Sequence, residues 1–191
     1  MKLKKYSSYD EYKEIQSNFS RMKKECIWVR EYTLDYIFEQ VKGKQDLFGI
    51  CHGVRNGFEV KYLKDKLPEA IIIGTEISDV ASDLNYVIQW DFHNIKEEWL
   101  NNVDFIYSNS FDHSYDPKLC ITNWMKCIKK EGGICFLEWT YDHNVGGGEE
   151  YPADCFGASR EEYMELASEY KTEAVKLPGI TWIVRIEHKG N

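Results

Sequence analysis

A chain of 191 residues with 43% hydrophobic content is long enough for one well-packed domain and too short for two ordinary ones. Its formal net charge of −8 offers no broad basic face, which argues against a general nucleic-acid binder. With no secretory signal or membrane-length apolar run, a cytoplasmic protein without a membrane partner is expected. The six cysteines, Cys26, Cys51, Cys120, Cys127, Cys135 and Cys155, form no C-x-x-C pair and read as reduced thiols rather than disulfides or zinc ligands.

Residues 1 to 45 read as a helical leader that packs on a core spanning 46 to 191. Leu34, Ile37, Phe38 and Val41 follow helical spacing and predict an amphipathic helix over 28–42, preceded by a weaker one over 9–24. Lys2, Lys4, Lys5, Arg21, Lys23 and Lys24 read as a solvated face.

The core opens with Leu47-Phe48-Gly49-Ile50-Cys51, an apolar run of strand type, followed by the turn His52-Gly53-Val54-Arg55-Asn56-Gly57. A helix over 58–67 is expected next, with Val60, Leu63 and Leu67 on one face, Asn56 as N-cap and Glu59 completing a capping box. A second apolar run, Ala70 to Gly74, stops at Thr75-Glu76. Strand, glycine turn, helix, strand and terminal acid is how an open parallel sheet grips an adenosine-containing cofactor. The turn glycines admit a close ligand, the helix N-terminus favours negative charge, and Glu76 is placed to accept from ribose hydroxyls.

Beyond Glu76, residues 77 to 85 read as a short helix or loop, 86–90 as a third strand ending at Asp91, 96–101 as a short helix and 103–108 as a fourth strand. Residues 109–115 form a polar-aromatic loop, and Asp116-Pro117 starts a helix that buries Ile121, Trp124, Met125 and Ile128 before Gly132-Gly133 stops it. A fifth strand runs from 134 to 139. The glycine-rich stretch 142–156 reads as a loop covering a site, Ser159 with Glu162 as a helix cap, and 171–176 with 180–188 as a hairpin turning at Pro178-Gly179. Near-continuous apolar strands alternating with helices imply an α/β fold, with a parallel sheet covered by helices on both faces and a ligand crevice at the carboxyl ends.

This order is similar to the class I S-adenosylmethionine-dependent methyltransferases of the small, single-domain kind, over about residues 45 to 188. The resemblance implies a Rossmann-like seven-stranded, mostly parallel sheet with a C-terminal antiparallel hairpin. It also implies S-adenosyl-L-methionine as cofactor and S-adenosyl-L-homocysteine as product, without indicating the acceptor; a small-molecule or glycan-type acceptor is expected because the sequence shows no added domain to read a macromolecule, and a homodimer is compatible with it. The family's first motif, an acid then G-x-G-x-G, maps onto Cys51, His52, Gly53, Val54, Arg55, Asn56 and Gly57, with Cys51 in place of the acid and Arg55 in place of the middle glycine. Arg55 is suited by charge to pair with the cofactor carboxylate. Glu76, followed by Ile77, matches the ribose acid; Asp91 with Phe92 matches the adenine contact; Asn109, Ser110 and Phe111 match the loop lining the methionine portion.

Methyl transfer from a sulfonium is an in-line displacement that requires alignment, and a base only where the acceptor must lose a proton. Asp112, His113 and His143 are the catalytic candidates, with Glu138 next, and Tyr115, Trp139, Tyr141, Tyr151 and Phe156 form a candidate aromatic wall. Asp112, His113 and Asp116 match no strong ligand signature, so no metal is expected. Two other functions fit the pattern: a nucleotide-cofactor oxidoreductase and a catalytically silent partner or sensor.

Overall fold

The computed structural model describes residues 1–144, 146–147 and 153–190. In chain order the elements are β1 (Lys2–Leu3), α1 (Tyr9–Met22), α2 (Glu31–Val41), β2 (Phe48–His52), α3 (Phe58–Lys66), β3 (Ile71–Glu76), β4 (Val87–Gln89) and β5 (Phe105–Ser108). There follow α4 (Pro117–Cys127), β6 (Ile134–Trp139), β7 (Phe156–Gly157), α5 (Arg160–Leu166), β8 (Lys171–Lys176) and β9 (Trp182–Glu187).

Seven strands form one sheet in the order β4-β3-β2-β5-β6-β9-β8. The first five are mutually parallel, while β9 runs antiparallel to both β6 and β8. This is the mostly parallel sheet with a terminal hairpin that the sequence predicts. From β2 the chain builds outward through β3 and β4, then returns to the other side of β2 as β5. The order therefore reverses between β2 and β5, and a crevice opens at their carboxyl ends.

Successive side chains on a strand point to opposite faces, and both faces here are covered. Cys51, Ile72, Phe105, Tyr107 and Phe136 pack under Leu34, Ile37 and Val41 of α2 and Val60 and Leu63 of α3. Ile50, Ile106, Leu137 and Val184 pack under Ile121, Trp124 and Met125 of α4 and Tyr163 of α5. Helix α1 joins neither cluster; it lies across the carboxyl ends of the strands, with Ser20 bonded to Glu76 and Tyr12 to the His113 carbonyl. Its amino-terminal side is held by β1, which pairs Leu3 with Phe156 of β7.

The expected capping box on α3 does not form. Gly57, at φ 72, is the N-cap, and the Asn56 amide instead donates to the carbonyls of Lys24 and Cys26, tying the leader to the turn. The capping box at Ser159 and Glu162 is present, with both reciprocal bonds. Stretches 77–85 and 96–101 contain 3-10 turns at Asp79–Asp83 and Glu97–Trp99, and the fourth strand is shorter than expected. Of the covering loop at 142–156, residues 145 and 148–152 lie outside the described residues. All six cysteines are free, and among the described residues no helix is long and apolar enough to cross a membrane.

Gly49 shows how tightly the sheet is packed. A Cβ there would stand 2.1 Å from the ring of Phe105 on the neighbouring strand, inside any possible contact. Gly49→Ala must push that ring into a filled core, so it is expected to lose about 1–3 kcal/mol of stability in urea unfolding. Unchanged stability would show that the Phe105 site is loosely packed.

Candidate active site

The carboxyl ends of β2, β3, β4 and β5 meet beneath α1. The Gly53 N–H donates to Thr75 O, and Gly53 has φ 73; a Cβ there would lie 2.7 Å from the Ser110 Cβ, so only glycine lets the turn sit against the loop after β5. Arg55 holds φ 43 where the family pattern has a glycine, a left-handed conformation that costs a non-glycine residue on the order of 1–2 kcal/mol.

Glu76 ends β3 and is 4% exposed. Its Oε1 accepts from the Ser20 hydroxyl at 2.8 Å and the Ser78 N–H at 2.9 Å, and its Oε2 accepts from the Arg55 N–H at 3.1 Å. Asp91, past the end of β4, is also buried, and one of its oxygens accepts from the backbone N–H of His93 and pairs with the His93 ring at 2.6 Å. Burial alone would raise its pKa, but the His93 bonds and charge outweigh burial and hold the carboxyl below its ordinary value. The other oxygen, Oδ2, is buried without a hydrogen-bond partner.

Two cavities share this region. The smaller, about 50 Å³, is lined by Gly53, Arg55, Glu76, Ile77, Asp91, Phe92, Ser110 and His113, with Tyr12, Gln16, Phe19, Ser20 and Lys23 of α1 and its C-cap above. The larger, about 330 Å³, takes in Val54, Asn109, Asp112, Glu138, His143 and Asp154, and is also lined by the exposed Trp28 and Ile180. Gly53, Arg55, Ser110, Lys23 and His113 line both.

Four residues expected against the cofactor lie elsewhere. Cys51 is fully buried because strand alternation turns it toward α2 and α3; His52, on the opposite face, stacks on Trp124 at 4.7 Å and bonds Thr75. Burial pushes the His52 pKa down to about 3, which keeps the ring neutral. Phe111 is turned by the 3-10 turn Phe111–His113 into the core against Phe156 and Tyr163. Gly57 opens α3 beside Val87 and Leu84. The expected aromatic wall is also displaced: Trp139 and Phe156 are core residues, Tyr115 stacks on His93, Tyr141 is exposed, and Tyr151 lies outside the described residues. Trp28 and Tyr32 take that place.

The polar groups of the larger cavity have defined orientations. His113 Nδ1 stands 2.9 Å from both Gln16 Oε1 and the Ala153 carbonyl, two acceptors, so the neutral ring carries its proton there and leaves Nε2 bare. His143 is the reverse: its Nδ1 accepts from the Thr140 N–H, which leaves its proton on Nε2. Burial and the neighbouring Asp112 charge raise the Asp154 pKa. Glu138 is raised by burial, against the Tyr107 hydroxyl that donates to it at 2.6 Å. Asp116 is absent from the group because its side chain caps α4. Asp154 and the α1 residues were invisible as site residues in the sequence, having neither motif nor local spacing to mark them, and Glu59 was marked only as a helix cap.

No protein-family model matches the chain, and no curated protein matches its sequence. Solved structures do match in fold. A chain of the complex of the Haloferax volcanii methyltransferase activator Trm112 with its partner is 15% identical with a TM-score of 0.69, over 96% of this chain and 100% of that one. A SAM-dependent methyltransferase from Aquifex aeolicus gives 13% identity and a TM-score of 0.62, over 95% and 98%. The plantazolicin methyltransferase BpumL, solved with S-adenosylhomocysteine, gives 16% and 0.61, over 96% and 92%. The chain has the fold of the class I S-adenosylmethionine-dependent methyltransferases.

Glu59, behind the glycine turn, is 6% exposed with Oε2 unpartnered, and burial pushes its pKa up from 4.5 to about 8. The folded chain therefore keeps a proton that the unfolded chain releases, and stability falls as pH rises from 4.5 to about 8. Each unit of separation is worth about 1.4 kcal/mol. Glu59→Gln removes this dependence, so its unfolding free energy should gain on the wild type across that window in urea titrations. Parallel curves would show that Glu59 ionises freely in the fold.

Proposed function

We propose that this chain is an S-adenosylmethionine-dependent methyltransferase that acts on a small-molecule or sugar-like acceptor and releases S-adenosylhomocysteine. The supporting observation is the pair of buried acids at neighbouring strand ends, Glu76 and Asp91, facing one cleft beside a turn that has no room for a Cβ. The unpartnered Asp91 Oδ2 is an acceptor suited to the adenine amino group, and Phe92 lines the same wall. Glu76 is suited to the ribose hydroxyls. Its Oε1 is held by Ser20, and a cavity of about 50 Å³ is far below the roughly 300 Å³ of a small ligand site, so cofactor entry exchanges the Ser20 bond for a ribose bond and shifts α1 outward. Arg55 faces the carboxylate end, and Asn109 and Ser110 line the methionine portion.

When bound, the cofactor supplies an electrophilic methyl group on a sulfonium. The chain's own residues align and deprotonate the acceptor. The cavity of about 330 Å³ is the size of a small-molecule site, and His113 sits where it meets the cofactor cleft. With Nδ1–H held by Gln16 and Ala153, the His113 ring offers Nε2 as a base. Asp112 orients the acceptor beside it, and His143 contributes a donor.

Calorimetry separates this reading from its alternatives. Micromolar binding of S-adenosylmethionine and S-adenosylhomocysteine, with none of NAD, is expected; NAD binding alone would favour an oxidoreductase. Binding without turnover across an acceptor panel would favour a silent partner. Glu76→Ala should weaken S-adenosylhomocysteine at least about tenfold, or about 1.4 kcal/mol, and unchanged affinity would refute the ribose assignment.

A further inference from the structure

We infer that the Asp112–His113–Asp154 cluster is the seat of a primary ammonium group, which makes the acceptor a cationic amine and the reaction an N-methylation. The inference rests on the methyltransferase reading above and names the substrate class for that site.

Three observations carry it. One ligand atom from each residue lies within 4.8 Å of the other two. Some point therefore lies no more than about 2.8 Å from all three, within hydrogen-bond reach of an ammonium nitrogen. Asp112 is 5% exposed and its Oδ1 has no partner, which is costly for a buried carboxylate unless something donates to it. His113 turns a bare Nε2 toward Asp154 Oδ1, 3.9 Å away, because Gln16 and Ala153 hold its proton on the far side. Two carboxylates and an imidazole lone pair thus converge with no donor among them. An ammonium brings three N–H groups for three acceptors.

The surroundings agree. Glu138 and Asp142 face the same cavity, so its acids outnumber Lys23, Arg30 and Arg55, and Arg55 is assigned to the cofactor carboxylate. Exposed Trp28 and Ile180 on the rim suit the carbon skeleton of the amine. His113 lines both cavities, so a nitrogen held there faces the cofactor cleft.

In the reaction the ammonium gives one proton to His113 Nε2, and the freed nitrogen lone pair forms the new N–C bond. The S–C bond breaks as it forms, and its electron pair stays on sulfur. The products are a secondary ammonium ion and neutral S-adenosylhomocysteine, and His113 returns its proton to water.

The test uses the full chain loaded with S-adenosylhomocysteine and probes in matched pairs that differ only in NH3+ against OH: glucosamine and glucose, tyramine and tyrosol, 4-aminobutanol and butanediol. Calorimetry should show the amine of at least one pair binding tenfold or more tighter than its alcohol. Asp154→Asn, at a partly exposed position where folding is safe, should abolish that preference, and Asp112→Asn should do the same, with S-adenosylhomocysteine affinity unchanged in both. Equal binding of amines and alcohols, or of neither, overturns the inference. So does Mn2+ binding to the loaded chain at micromolar concentration and lost in Asp154→Asn, which assigns the cluster to a metal. Failure of S-adenosylhomocysteine to bind at all would strike the methyltransferase reading instead.

Discussion

The Glu76 carboxylate is the point on which the upper half of the molecule turns. Placed at the end of β3 with almost no water contact, it needs donors, and it takes them from three separate segments: Ser20 of α1, Ser78 after the strand, and the Arg55 N–H of the glycine turn. A buried charge is tolerated only when its lone pairs are satisfied, so these bonds fix the turn against the strand and draw α1 across the sheet. Under the proposed function, the leader helix and a bound sugar would compete for one acceptor.

The underside of α1 is polar to match. It contributes Tyr12, Gln16, Phe19 and Ser20 to the cleft rather than a continuous apolar stripe to the core. Its hold on the rest of the molecule is largely through hydrogen bonds, from Ser20 to Glu76, Tyr12 to the His113 carbonyl and Gln16 to His113 and Ala153. Its amino-terminal side stays anchored through β1 and the Lys4 N–H bond to Cys155, which also ties it to the segment bearing Asp154. The two cavities and the leader are therefore connected through Gln16, which bonds both Ala153 and His113, the residue that lines both.

Much of the frame was legible in the sequence. The apolar runs at 47–51, 70–74 and 134–139 are strands because nothing else buries such runs on both sides, and Glu76 and Asp91 stand at strand ends as their positions in the runs implied. The site was less so. Strand alternation sends Cys51 and His52 into opposite cores, and a 3-10 turn swings Phe111 inward while leaving its neighbour Asp112 at the cavity. Glu59 had the spacing of a cap, yet the helix begins at Gly57 and the carboxyl is buried behind the turn. Asp154 meets Asp112 only because the chain after β6 folds back over the loop after β5, with the Cys155 N–H bonded to Asp112 O. No local spacing encodes such a meeting.

The central claim is that an adenosyl group lies over β3 with its sugar on Glu76, in the place α1 now occupies. A crystal structure of the chain with S-adenosylhomocysteine tests it most directly. The account predicts ribose hydroxyls within hydrogen-bond distance of both Glu76 oxygens, the Ser20 bond broken and α1 displaced from the cleft. A ligand bound elsewhere, with Ser20 still on Glu76 and the cleft still closed, would contradict it.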